Sequence, residues 1–223
     1  MARRGAVLSR VAAGLRDSVR CKGGGGVTTA SMRILGAMQP GTLHRLYEPK
    51  RLGSAEIRID SPSMMERLRA ARDGQPLNAK KYTRLFVDGR LFMTDAEFER
   101  RTNLWAVANM RGEVLIAGLG LGFMLLPTLT KSEVTSVTVL ERSADVIALI
   151  GPVVKHKKLS IIKADCKSYA ATKRAFDCIY FDIWSDVPNS DNKDEIKALK
   201  KKYRPALRSG GWMRAWCEEM LNR

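Results

Sequence analysis

The chain has few of the residues that most directly announce chemistry. Its 223 residues include two histidines and four cysteines. His44 and His156 have no partner at a useful spacing, and Cys21, Cys166, Cys178 and Cys217 lie far apart without a CxxC pair. The usual zinc spacings and a disulfide framework are therefore not indicated, and reduced thiols in a cytoplasmic setting fit best. No apolar run approaches the roughly 20 residues that span a bilayer, so a soluble chain without a membrane partner is expected. Acid is scarce as well: 23 Asp and Glu stand against 39 Lys and Arg, a net charge of +16. Such an excess implies an anionic partner, nucleic acid among the candidates, or a basic tail, or only a soluble surface. A hydrophobic share of 45% is enough for a globular domain with a buried core.

Composition divides the chain. Residues 1–31 hold six basic residues and one acid, Asp17, and include four consecutive glycines. They read as a basic tail, a transit-like segment or an upstream translation start ahead of Met32. Residues 32–83 read as a mixed α+β extension: AEIRID alternates like a strand, and SPSMMERLRAARDG looks like a Ser-capped helix stopped by Gly74. Residues 84–110 begin with Asp88-Gly89 between two alternating apolar runs, a hairpin signal because both turn residues need positive φ. AEFERRTNLWAVANM then reads as a helix on which Phe98, Leu104, Trp105 and Ala108 can share a face.

From residue 111 to 223 strands and helices alternate. VLIAGL, SVTVLE, KLSIIKAD, FDCIYFDIW and WMRAWC read as strands. FMLLPTLTK (with Pro127 kinking it or shifting its start), ADVIALIGPVV and a short helix near SYAATK lie between them. The last helix has Asn192 as N-cap, Glu195 three residues on, and Ile196, Leu199, Tyr203 and Leu207 at helical spacing, with Gly210-Gly211 ending it. This alternation implies an α/β fold, a doubly wound and mostly parallel sheet.

GEVLIAGLGLGFMLL breaks a buried strand with Gly118, Gly120 and Gly122. Such a turn lets backbone approach a ligand closely. The pattern is GxGxG: Phe123 stands where the dinucleotide fingerprint needs its third glycine, and no Gly-Lys-Ser/Thr follows for a P-loop. Glu141 ends the next strand 23 positions after Gly118, close to the roughly 20 expected for an acid that binds ribose hydroxyls. Asp165 ends the third strand, where a carboxylate or its backbone can meet an adenine amino group. Asp182, Trp184, Ser185 and Asp186 follow the fourth.

In order and spacing, VLIAGLGLG, VTVLE, IKAD and FDCIYFDIWSD resemble the motifs of class I S-adenosylmethionine-dependent methyltransferases, over roughly residues 84–217. The spermidine-synthase-like subgroup is most similar, because Ile116 replaces the usual acid and a DG-turn hairpin precedes the domain. The resemblance implies a Rossmann-like fold with S-adenosylmethionine as cofactor. Gly118, Gly120 and Gly122 would line its methionine and ribose part, Glu141 would hold the ribose, and Asp165 with Cys166 would flank the adenine. Asp182 or Asp186 would act as base if desolvated, and Trp184 and Ser185 would meet the substrate. Leu121 and ERRTN replace the acid and the Tyr-His-Glu that aminopropyl transferases carry, which favours methyl transfer over polyamine synthesis. The closing antiparallel hairpin of the fold is missing after WMRAWC, so either the N-terminal hairpin region covers the open side or a second subunit of a homo-oligomer does. The acceptor is open among small molecules, RNA and protein. DIWSD lacks the motif of amino-methylating DNA enzymes, and no Pro-Cys pair occurs. A non-catalytic cofactor- or nucleic-acid-binding module is a further alternative.

Overall fold

The computed structural model describes residues 38–222, so the tail expected over residues 1–31 lies outside the described residues. Strands β1 (Lys50–Leu52), β2 (Ala55–Asp60), β3 (Tyr82–Val87) and β4 (Arg90–Thr94) form one antiparallel sheet in that order. The expected hairpin is β3–β4, and Asp88 and Gly89 take φ of 52° and 75°. β3 begins at Tyr82, so this sheet runs across the boundary drawn between residues 83 and 84. Helix α1 (Met64–Arg72) has the expected Ser63 cap, closed as a capping box by Glu66, and Gly74 follows in the left-handed region.

Asp95 joins this sheet to helix α2 (Glu97–Asn109). Its fully buried carboxylate accepts from Leu43 N at 2.9 Å and Thr83 N at 2.8 Å. Burial pushes the carboxyl up, and these backbone donors pull it back toward the charged form. The helix turns Asn103, Ala106 and Val107 inward, whereas Ala108 is exposed and Phe98, Leu104 and Trp105 are half-buried. The face expected from spacing is therefore rotated, with Asn103 turned inward to accept from the Tyr180 hydroxyl at 2.9 Å.

Strands β5 (Gly112–Ala117), β6 (Val134–Glu141), β7 (Leu159–Lys163), β8 (Phe176–Phe181) and β9 (Leu207–Ala215) build a parallel sheet ordered β7-β6-β5-β8-β9. Alternate residues serve two cores, as burial on both faces requires. Val114, Ile116, Val137, Val139 and Tyr180 pack with α2, α3 (Leu125–Thr130) and α4 (Ala144–Ile150). Leu115, Ala117, Leu140, Ile179 and Phe181 pack with Ile196, Leu199 and Tyr203 of α5 (Lys193–Tyr203). Pro127 falls in the first turn of α3, whose start is shifted to accommodate it.

Several local expectations are corrected. No helix forms near SYAATK: residues 166–168 make a turn, and Ser168, Ala170, Thr172 and Lys173 are exposed, leaving no apolar stripe to dock. Helix α5 stops at Tyr203 ahead of Pro205, and Leu207 opens β9 instead of extending the helix. Gly210-Gly211 therefore lies within β9, where a Cβ at Gly211 would crowd the Asp177 carbonyl oxygen at 2.6 Å. The capping box belongs to Asn189 with Asn192, one short 3-10 turn earlier, and Glu195 instead accepts from Trp184 Nε1 at 2.8 Å and pairs with Lys167. The N-terminal sheet does not cover the β9 edge. It docks on α4, where Asp145 accepts from Ser54 N at 2.9 Å and Ser54 Oγ at 3.0 Å, while β9 pairs with β8 alone.

The Asp95 linchpin is open to test. Asp95→Ala leaves two buried N–H groups without an acceptor and is expected to destabilise the chain by about 2–4 kcal/mol. Urea denaturation measures this, and a loss below about 1 kcal/mol would show that the linchpin role is wrong.

Candidate functional site

The site lies at the carboxyl edge of the parallel sheet, where such folds bind ligands. Gly118, Gly120 and Gly122 all have positive φ, 101°, 50° and 69°. Their neighbours differ. A Cβ at Gly118 would overlap the Asp182 carbonyl oxygen, one at Gly120 the Met93 sulfur, and one at Gly122 the Val154 side chain. Two of the three glycines are thus demanded by side chains of the protein itself. Leu119, Leu121 and Phe123 between and after them are buried. From the N-terminal side Tyr47 donates its hydroxyl to Leu121 O at 2.8 Å, and Met93 sulfur accepts from Leu121 N at 3.2 Å.

Glu141 ends β6 and is half-exposed. Its carboxylate accepts from Leu119 N at 3.0 Å and Ser143 N at 2.8 Å, so it is aimed by the glycine turn on one side and the start of α4 on the other. A carboxylate has about four acceptor positions, and two are left for a pair of ribose hydroxyls. Asp165 is exposed two residues past β7 and accepts from Lys167 N at 2.8 Å. Cys166 is buried in the second core, its thiol pushed up to about 11 by burial, and its carbonyl accepts from Tyr203. It serves as apolar wall beside Asp165. This donor set fits a nucleoside that presents ribose hydroxyls to Glu141 and a base toward residues 165–166.

The carboxylates after β8 separate in character. Asp182 hydrogen-bonds Ala117 O through its backbone at 2.8 Å and abuts Gly118. It keeps a partial opening to solvent, yet enough protein surrounds it that desolvation pushes its carboxyl up to about 7. Asp186 and Ser185 are exposed and interact with each other at 3.4 Å, so the desolvation expected of a base falls on Asp182. Trp184 is tied to α5 through Glu195 and packs with the second core, which gives it a structural duty.

Spacing did not reveal Glu99. Burial raises its carboxyl well above the usual carboxylate range, and the charge of Asp182 raises it further. Desolvation also raises the Tyr180 hydroxyl, with the charges of Asp182 and Glu99 adding to it; that hydroxyl donates to Asn103 at 2.9 Å. Glu99 on α2 and Asp182 after β8 therefore lie near enough for their charges to interact. The signal available in the sequence was an acid on α2 where apolar residues would have been cheaper, and it was obscured by the neighbouring Glu97, Arg100 and Arg101. Among the described residues no group of three His, Cys, Asp or Glu could hold a metal ion. His44 bonds Gly41 O at 2.9 Å, and His156 lines an apolar groove of about 410 Å³ with Ile147, Leu159 and Ile161, apart from this edge. No described helix is long and apolar enough to cross a membrane.

No family model and no curated protein matches the chain. Solved structures do. The spermidine synthase of Thermotoga maritima is 17% identical with a TM-score of 0.51, over 75% of this chain and 55% of that one. A spermidine synthase bound to the transition-state analogue AdoDATO gives 16%, 0.51, 75% and 56%. A S-adenosylmethionine-dependent methyltransferase from Leishmania major gives 13% and 0.41 over 52% of this chain and 48% of that one. The chain spans little more than half the length of the spermidine synthases. It has their fold: the Rossmann-like sheet of class I methyltransferases, with an antiparallel sheet before it.

The desolvated Asp182 carboxyl predicts a pH signature. A carboxyl whose folded value lies above its unfolded one stabilises the fold when protonated, and that contribution is lost as pH rises from about 4 through about 7. Asp182→Asn should therefore be more stable than the native chain at pH 8, by about 1–4 kcal/mol, with the difference closing near pH 4. Equal or lower stability of the variant at pH 8 would show that Asp182 is well solvated when charged.

Proposed function

We propose that the chain binds S-adenosylmethionine along the ends of β5, β6 and β7 and transfers its methyl group to an amine held beside Asp182 and Glu99. One observation carries this reading: the Asp182 backbone carbonyl abuts the first glycine of the turn, and the same residue bears a carboxyl that desolvation pushes up to about 7. The turn at Gly118–Gly122 would face the methionine and ribose part, Glu141 the ribose hydroxyls, and Asp165 with the Cys166 wall the adenine. When bound, the cofactor supplies a sulfonium-activated methyl group, so the protein's task is alignment, which can contribute roughly 7–11 kcal/mol.

Asp182 acts on the acceptor. The desolvated Asp182 carboxylate attracts a protonated amine, whose charge offsets the cost of its ionisation. Such an amine is not nucleophilic until it loses a proton. Asp182, poised near 7, takes that proton when ionised. As the nitrogen–carbon bond forms, the carbon–sulfur bond breaks and its electron pair stays on sulfur.

A second reading has its own support. Two spermidine synthases match with TM-scores of 0.51 over 75% of this chain. Aminopropyl transfer from decarboxylated cofactor would use the same base and the same place for the amine. Calorimetry with S-adenosylmethionine, its demethylated product and its decarboxylated form separates the two readings. Methyl transfer predicts tight binding of the first two, weakened by about 1.5–3 kcal/mol in Glu141→Ala. Preference for the decarboxylated form with turnover of a diamine would establish the second reading, and binding of none would refute both. Under the first, Asp182→Asn should lose about 10²–10⁴-fold in turnover, and the native rate should climb with pH and level off above about 7.

A further inference from the structure

The opposite edge of the parallel sheet is basic. Where β5 and β8 begin and β9 starts, the chain brings together Arg111, Lys173, Arg174, Arg204 and Arg208, all exposed. Their backbones are interlocked: Arg174 N donates to Pro205 O at 2.9 Å, Arg208 Nε to Arg174 O at 3.0 Å, and Arg111 Nη2 to Gly210 O at 2.8 Å. The acid among them, Asp177, is already engaged by Glu113 N at 2.8 Å and Arg208 Nη1 at 2.9 Å, and the Glu113 carboxylate is turned to Ser136. Lys173, Arg174 and Arg204 make no side-chain hydrogen bond or ion pair with the described residues.

Arg174 also takes φ of +50°, a conformation that a long side chain rarely adopts and glycine would adopt freely. Strain of that kind persists where the surroundings enforce it, and it concentrates at working surfaces. Here an arginine occupies a position suited to glycine, between two other cations, on a loop pinned by hydrogen bonds. An ordinary solvated face has no need of any of these features.

We propose that this corner binds the phosphodiester backbone of a nucleic acid. Five exposed cations are grouped on one edge against a single acid, Asp177, with Arg111 and Arg208 tethered to backbone carbonyls and Lys173, Arg174 and Arg204 unneutralised, which is the electrostatic footprint of phosphate recognition. Arg111 and Arg208 retain free N–H groups beside the carbonyls they hold, and Lys173, Arg174 and Arg204 are wholly available. The inference does not depend on methyl transfer, since the corner lies at the amino ends of the strands and Asp182 at their carboxyl ends.

The test is fluorescence anisotropy of the full chain with labelled single-stranded RNA and duplex DNA of equal length, titrated across salt. The variant is Lys173→Gln/Arg174→Gly/Arg204→Gln, in which the glycine also relieves the left-handed strain. A control removes three other exposed charges, Lys50→Gln/Lys80→Gln/Lys155→Gln. The variant should lose about tenfold or more in affinity near 0.15 M salt, and its log–log salt slope should flatten by about 2 on single strands. The control should bind nearly as the native chain does, and thermal melting should show both variants folded. Loss in one polymer arm identifies RNA or DNA as the ligand. Equal loss in variant and control, or no salt-dependent binding to either polymer, would overturn the proposal.

Discussion

The grip on the glycine turn holds the molecule together as a functional unit. From the parallel sheet, Leu140 O accepts from Gly118 N at 2.8 Å, Glu141 accepts from Leu119 N, and the Asp182 carbonyl lies where a Cβ on Gly118 would be. From the N-terminal side, Tyr47 ahead of β1 and Met93 of β4 hold the two polar groups of Leu121. A segment of five residues is thus fixed by two sheets that share no strand pairing. The glycines are needed less for flexibility than for room, because each admits an atom of the protein where a side chain would stand. The N-terminal sheet is for that reason part of the site's architecture, although it contributes no residue to the ribose end.

Desolvation of two carboxyls opposes folding, and the surrounding structure shows what offsets it. Helix α2 carries Glu99, and it is anchored at several points. Tyr180 donates to Asn103, Trp216 donates to Thr102 at 2.9 Å, and the buried Lys131 ammonium caps the helix by donating to Val107 O at 2.9 Å and Ala108 O at 2.7 Å. A cation at a helix C-terminus is stabilised by the helix dipole and by otherwise unpaired carbonyls. These bonds hold Glu99 near Asp182 against their repulsion. Helix and strand cannot drift apart to solvate the pair without breaking a polar contact at each end.

The regular parts of the fold were readable because local chemistry and burial agree there. Ser63 and Glu66 announce α1, Asp88-Gly89 announces the β3–β4 turn, and continuous apolar runs announce strands buried on both faces. Glu141 and Asp182 were reachable because strand ends in this fold are functional positions by topology. The failures arise where tertiary packing overrides local pattern. Leu207 continues a helical spacing, but Pro205 denies the helix and pairing with β8 recruits the residue. Glu99 was not legible, since its significance comes from lying near Asp182 in the fold, a relation that spacing along the chain does not encode. The bond from Trp184 Nε1 to Glu195 was likewise not encoded by spacing.

Net charge and local field point in opposite directions in this protein. The chain carries +16, whereas the region of Asp182 and Glu99 holds two desolvated carboxyls. Distance and screening resolve the conflict. Exposed charges act over about 8 Å at physiological salt, while buried charges are screened much less. The basic corner of Arg111, Arg174 and Arg208 lies at the amino ends of the strands, and Asp182 lies at their carboxyl ends, with the apolar sheet between them. The region of Asp182 therefore experiences its own two carboxyls far more than the surface excess. The parallel sheet thus separates a basic corner at the amino ends of its strands from the desolvated Asp182 carboxyl at their carboxyl ends.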